Sequence, residues 1–159
     1  MRPGARVLDI ACGKGRHALA AAELGADVVA IDGDRDRIDA GHIRAAQRGL
    51  TIKWECADLT TLPLPEKTFD IVMAFNYLDR SRMEDFKQAL KPGGHLIYET
   101  FLEGQGEFGW GPNSPGHLLK MGELISLVVP FKVLFAREVL EALDSRSAAL
   151  ASVVATRRE

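Results

Sequence analysis

Two glycines and three aspartates stand where they could do chemistry together. Gly13-x-Gly15-x-x-Ala18 follows a short apolar run and opens an Ala-rich one. Its backbone N–H groups could therefore approach a ligand closely, while the start of the following helix favours negative charge. Asp32 lies about 20 residues downstream, the offset at which a carboxylate can accept both hydroxyls of a ribose. Those features alone fit a dinucleotide fingerprint, so an NAD-type Rossmann oxidoreductase stands as one reading. The order of the acids discriminates: Asp9 precedes Gly13, Asp32 closes the second apolar run, and Asp58 follows the third. A dinucleotide site leaves Asp58 unexplained.

The elements that must position these residues follow from the pattern of apolar runs. Arg6 to Ile10 reads as a buried parallel strand entering the glycine turn, and Arg16 to Leu24 as a helix stopped at Gly25. Asp27 to Ile31 is a second strand, Arg35 to Arg48 a helix ended by Gly49, and Thr51 to Cys56 a third strand. Phe69 to Phe75 is a fourth strand, Met83 to Leu90 a helix with Met83, Phe86 and Leu90 on one face, Pro92-Gly93-Gly94 a turn, and His95 to Phe101 a fifth strand. A helix around Glu123 to Val128 precedes two final runs, Lys132 to Ala142 and Ala148 to Thr156, joined by the turn-forming Asp144-Ser145-Arg146-Ser147. The expectation is an α/β fold: a doubly wound, seven-stranded, mainly parallel sheet with a C-terminal antiparallel hairpin, binding its ligand beyond the strands' carboxyl ends.

Composition narrows the function. A length of 159 residues with 47% hydrophobic content suits one domain with a buried core. A formal net charge of −2 gives no basic field for nucleic acid, and Arg157-Arg158 is too short to supply one. No stretch reaches the ~18 apolar residues of a membrane span, and two cysteines without a C-x-x-C pair indicate neither zinc nor a disulfide framework. A cytoplasmic protein acting on a small molecule, with no nucleic acid, membrane or metal, is expected.

Val7-Leu8-Asp9-Ile10-Ala11-Cys12-Gly13-Lys14-Gly15-Arg16, Ala57-Asp58-Leu59, Phe69-Asp70-Ile71-Val72 and Leu90-Lys91-Pro92-Gly93-Gly94 occur in that order along the chain. In these motifs, and in its hairpin ending, the chain resembles the class I methyltransferases that use S-adenosyl-L-methionine (SAM). Gly104-Gln105-Gly106 through Gly111-Pro112-Asn113, followed by Leu118-Leu119, looks like the small tellurite-resistance-type branch. The resemblance implies methyl transfer from SAM to a small molecule, the alternative being a SAM-binding module without turnover. It implies that Asp32 accepts the ribose hydroxyls, that the Gly13 and Gly15 backbone lies against the amino acid end, that Asp9 neighbours the methionyl ammonium directly or through water, and that Ala11, Cys12 and Asn76 also contact the cofactor. Asp58 would accept from the adenine amino group, Leu59 and Gly33 would wall the ring, and Lys14, Arg16 or His17 would favour the methionyl carboxylate.

Asn76 and Tyr77, just past the fourth strand, are the candidates for contacts near the transferred methyl. Asp79, Tyr98, Glu99 and Thr100 stand at the same end of the sheet. No catalytic base is identified, and a soft acceptor would need none. Trp110, in the Gly/Pro-rich loop from Glu103 to Gly116, is either a lid over substrate or a pin holding the loop to the core. Relatives also carry a helical segment before the first strand that closes over the cofactor, whereas here Met1 stands about five residues from it. The expectation is an open site, one covered by a homodimer partner, or a fragment.

Overall fold

The computed structural model describes residues 2–143 and 146–158. Arg6–Ile10 (β1), Asp27–Asp32 (β2), Lys53–Cys56 (β3), Phe69–Phe75 (β4) and Leu90–Phe101 (β5) run parallel. Lys132–Leu143 (β6) and Arg146–Thr156 (β7) complete a seven-stranded sheet of order β3-β2-β1-β4-β5-β7-β6, with β7 antiparallel to both neighbours. Arg16–Glu23 (α1), Arg35–Gln47 (α2), Met83–Ala89 (α3) and Glu123–Leu127 (α4) supply the helices. The expected α/β architecture is the one observed. Asp144 and Ser145, half of the anticipated hairpin turn, lie outside the described residues.

β1 shows why its run is apolar without alternation. Val7 packs on the side of α1 and α2 with Ala18, Leu19, Val28 and Ile38. Leu8 and Ile10 pack on the other, with Phe86, Tyr98, Leu119 and Leu124. Both faces are covered, as a central parallel strand requires. The chain winds outward from β1 to β3 and then returns to place β4 against β1's other edge. Adjacent loops therefore leave in opposite directions at the β1/β4 boundary, and a crevice opens beyond their carboxyl ends.

Two local differences from the sequence reading have clear causes. The fifth strand begins at Leu90, and Pro92-Gly93-Gly94 is an excursion inside it. Leu90 pairs with Phe69 and His95 with Ile71, so residues 91–94 bulge out opposite Asp70. Backbone bonds hold the excursion, Gly93 N–H donating to the Arg157 carbonyl at 3.0 Å and Arg157 N–H to that of Gly94 at 2.9 Å. Its closeness demands glycine, since a Cβ on Gly94 would lie 2.9 Å from the Lys91 carbonyl oxygen. The third strand starts at Lys53, two residues later than its apolar run suggested.

The long Gly/Pro loop is stapled to the hairpin. Gln105, fully buried, accepts from Ala149 N–H at 2.9 Å and donates to the Trp110 carbonyl at 2.9 Å. Trp110 donates its indole N–H to the Ser147 carbonyl, stands edge-on to Phe101 at 5.6 Å, and lies under the Arg146 guanidinium at 3.8 Å. Of its two anticipated roles, the structure places Trp110 as the pin. Trp110→Ala should therefore cost about 2 kcal/mol of stability, from lost aromatic packing and a lost hydrogen bond. A urea midpoint equal to that of the parent chain would show that the loop does not depend on it.

Candidate functional site

At the β1/β4 boundary lies a cleft of about 550 Å³. Its floor begins on β1, where Asp9 is 1% exposed. The chain then turns through Ala11, Gly13 and Gly15, all with positive φ (54°, 56° and 80°). Cys12 N–H donates to the Ile31 carbonyl at 3.0 Å, tying the turn to β2. Asn76, after β4, also has positive φ (56°), and its N–H donates to the Glu99 carbonyl at 2.9 Å. Ala11 and Asn76 are non-glycine residues held in a left-handed conformation at the two sides of one cleft. Such strain persists where the surroundings over-determine it, and it clusters at ligand sites.

Asp32, at the end of β2, fixes the turn. Its Oδ2 accepts from Gly13 N–H at 2.8 Å and its Oδ1 from Asp34 N–H at 2.9 Å. Each oxygen keeps a second lone pair for a ligand. Asp34 in turn caps α2, accepting from Arg37 N–H at 3.2 Å. Arg37 itself lines the cleft, as do Lys14, Arg16 and Thr60. The cleft thus sets two buried carboxylates, Asp9 and Asp32, against three cationic side chains.

Of the residues named from sequence, Asp9, Ala11, Cys12, Gly13, Asp32, Gly33, Leu59, Asn76 and Tyr77 line this cleft together. Gly15 does not. It precedes α1 with its left-handed backbone, and a Cβ there would meet the Trp54 ring at 2.3 Å, so conformation and close packing together require a glycine. Asp58 sits at the exposed rim, its Oδ1 accepting from Thr60 N–H (2.9 Å) and hydroxyl (2.6 Å), and these bonds hold its carboxyl below the usual range. Tyr98 is buried and donates its hydroxyl to the Tyr77 carbonyl at 2.8 Å, positioning the segment after β4. Glu99 accepts from the Ser152 hydroxyl at 2.5 Å, and Asp79 caps the 3-10 turn Arg80–Arg82. Thr100 lines a smaller side pocket of about 180 Å³ that shares Asn76 and Tyr77 with the cleft.

Burial sets the protonation states. It drives the Asp9 carboxyl up to about 7, with the neighbouring Asp32 charge adding to the effect, and Oδ2 of Asp9 is buried without a hydrogen-bond partner. Burial, with Asp9 and Asp32 nearby, also pushes the Cys12 thiol up, so no thiolate nucleophile forms there. His17 is pushed down to about 4 by burial and by Arg16, and it stacks on Phe75 at 3.6 Å as a neutral packing group. Tyr77 is raised to about 12, chiefly by burial. Among the described residues no group of three or more His, Cys, Asp or Glu side chains stands close enough to hold a metal ion, and no helix is long and apolar enough to cross a membrane.

Against known proteins, the family described as a methyltransferase domain matches residues 7–94, more than half of the chain. The ubiquinone biosynthesis O-methyltransferase of Coxiella burnetii is 34% identical over 102 residues, which cover 61% of this chain and 44% of that protein. The match thus spans less than half the length of that relative. TehB from Haemophilus influenzae superposes with a TM-score of 0.83 at 20% identity, covering 98% of this chain and 58% of that one. A SAM-dependent methyltransferase of Methanosarcina mazei gives 0.81 at 20% identity, covering 99% and 94%. The fold is the one that TehB and the Methanosarcina mazei enzyme share.

The ionisation of Asp9 has a measurable sign. Its carboxyl titrates near 7 when folded and near 3.8 when unfolded, so the folded state binds the extra proton between those values and stability falls as pH rises through that window. Asp9→Asn, which cannot ionise, should gain stability over the parent chain at pH 8, on the order of 4 kcal/mol. The gain should disappear at pH 4. Denaturation midpoints at the two pH values check it, and a difference independent of pH would refute the assignment.

Proposed function

The chain belongs to the methyltransferase domain family, and from that premise we propose that its single domain transfers a methyl group from SAM to a small-molecule acceptor. The observation that carries this reading is the distribution of charge in the cleft. Two buried carboxylates face a rim of Lys14, Arg16 and Arg37, which suits a ligand bearing separated charges of its own. The orphaned Oδ2 of Asp9 calls for a donor, and a ligand ammonium or its bound water meets that need.

Asp32 would use its remaining lone pairs for the ribose hydroxyls. Asp58, whose Oδ1 serves Thr60, would offer Oδ2 to the adenine amino group, with Leu59 and Gly33 beside the ring. Arg16 and Lys14 would face the amino acid carboxylate. His17, neutral and stacked on Phe75, leaves that role to them. Bound SAM supplies a sulfonium methyl group open to in-line displacement. The protein's part is then to align the acceptor with that methyl and exclude water, work that needs fixed backbone more than reactive side chains. Ala11 and Asn76, locked in left-handed conformations, provide such fixed points.

Calorimetric titration tests the reading. SAM and S-adenosylhomocysteine should both bind in the micromolar range while NAD gives no signal. Asp32→Ala should weaken SAM binding about 100-fold, and Asp32→Asn, which can still accept from Gly13 N–H, about 10-fold. NAD binding in place of SAM, or SAM affinity unchanged in both variants, would overturn it.

A further inference from the structure

The side pocket is built from three segments far apart in sequence: Asn76, Tyr77 and Leu78 after β4, Thr100 and Phe101 at the end of β5, and Pro112 and His117 from the long loop. Its volume of about 180 Å³ is close to that of cavities that take one benzene-sized ring. Leu78, Phe101 and Pro112 give it apolar walls. Its polar groups are an amide, two hydroxyls and an imidazole, and neither a carboxylate nor a Lys or Arg side chain lines it. Such a lining favours a neutral occupant, because a charged one would be desolvated without a partner.

His117 is exposed, yet its backbone is fixed on both sides. Arg80 donates to the Gly116 carbonyl at 3.1 Å and to the Leu118 carbonyl at 2.8 Å, and is itself held by both carboxylate oxygens of Glu123. His117 N–H donates to the Ser114 carbonyl at 2.9 Å, and Leu119 bridges to Leu102 beside β5. One guanidinium thus holds the Gly116 and Leu118 carbonyls, on either side of a single imidazole, and the pocket that this imidazole lines shares Asn76 and Tyr77 with the cleft.

We infer that this pocket receives the methyl acceptor, a neutral compound of about one aromatic ring bearing a hydroxyl group, and that His117 takes the hydroxyl proton. The inference rests on the methyl-transfer reading of the adjoining cleft. In the step, the acceptor oxygen forms the new O–C bond and the S–C bond of the sulfonium donor breaks, its electron pair returning to sulfur. The O–H proton passes to an unprotonated ring nitrogen of His117, leaving imidazolium, thioether and methyl ether. Arg80 is a positioning residue. The ionisable groups around His117 are Tyr77 across the pocket and the Arg80–Glu123 pair beneath the loop, with Glu103 and Lys120 nearby. Tyr77 titrates far above neutrality, and the ion pair holds Glu123 low and Arg80 high. Asp9 ionises in the cleft, so rates are compared at saturating donor.

The test uses catechol as acceptor probe. Added to the chain saturated with S-adenosylhomocysteine, it should shift the His117 ring signals in NMR spectra, and with SAM it should be methylated at a rate that rises with pH. His117→Gln should lower kcat at pH 7 about 100-fold and abolish that rise, leaving KM for catechol within ~2-fold and S-adenosylhomocysteine affinity unchanged. Arg80→Lys should lower kcat but keep the pH dependence. If S-adenosylhomocysteine binds while catechol neither shifts His117 nor is methylated, or if His117→Gln keeps the parent rate and pH profile, the inference is wrong. Failure of S-adenosylhomocysteine to bind the parent chain would overturn the cofactor reading beneath it.

Discussion

The structure of the site depends on one carboxylate. Asp32 ends β2 and accepts from Gly13 N–H in the turn after β1 and from Asp34 N–H at the start of α2. It therefore joins the two loops that leave the sheet on one side of the switch point. Without it, the turn through Ala11, Gly13 and Gly15 would lose the acceptor that its left-handed backbone is aimed at, and the cap of α2 would lose its anchor. A carboxylate so placed is bound to the protein before any ligand arrives. The site is thus organised in advance, and ordering it at the moment of binding costs little.

That organisation has a cost next door. Asp9 lies within the field of Asp32, buried and with one oxygen unpartnered, and its carboxyl titrates near neutrality as a result. A stability-optimised core would hold an apolar or paired group there. The position makes sense as a place where a ligand cation would remove an existing penalty, so binding gains what folding gave up. Asn76 and Ala11 carry the same signature in their backbone. Strain at three cleft positions, in a sheet otherwise packed with apolar side chains on both faces, locates the functional end of the molecule independently of any motif.

Much of this was legible in the sequence because it is local. β1, its glycine turn and α1 follow one another without interruption, so apolar run, breaker and helix former specify them directly. The alternation of strands and helices and the closing hairpin mark the class of the sheet, whereas the placement of β7 between β5 and β6 emerges only in the structure. What was not legible depends on contacts between distant segments. Gly15 looked like a ligand-facing glycine, yet the residue that excludes a Cβ there is Trp54, on β3. The Pro92-Gly93-Gly94 turn became an excursion within β5 because Arg157, just past the end of β7, supplies its backbone partners. Asp58 lies at the rim, engaged with Thr60, and short-range spacing cannot tell a rim carboxylate from a wall one. Arg80 and His117 are 37 residues apart, and nothing local in either marks the clamp that joins them.

The two halves of the site also differ in how far kinship informs them. The family match ends at residue 94, so it takes in β1, β2, β4 and the turns that build the cleft. Thr100, Phe101, Pro112 and His117, which close the side pocket, all lie beyond it. A shared donor and divergent acceptors would produce this division, since residues that hold a common ligand must persist while those shaping an acceptor pocket follow its occupant. The loop that carries Pro112 and His117 is nevertheless fixed to the sheet, by Gln105 and Trp110 at one end and Arg80 at the other. A loop mounted so rigidly can hold Pro112 and His117 in fixed positions against the residues that follow β4 and β5, the alignment that an in-line displacement would require.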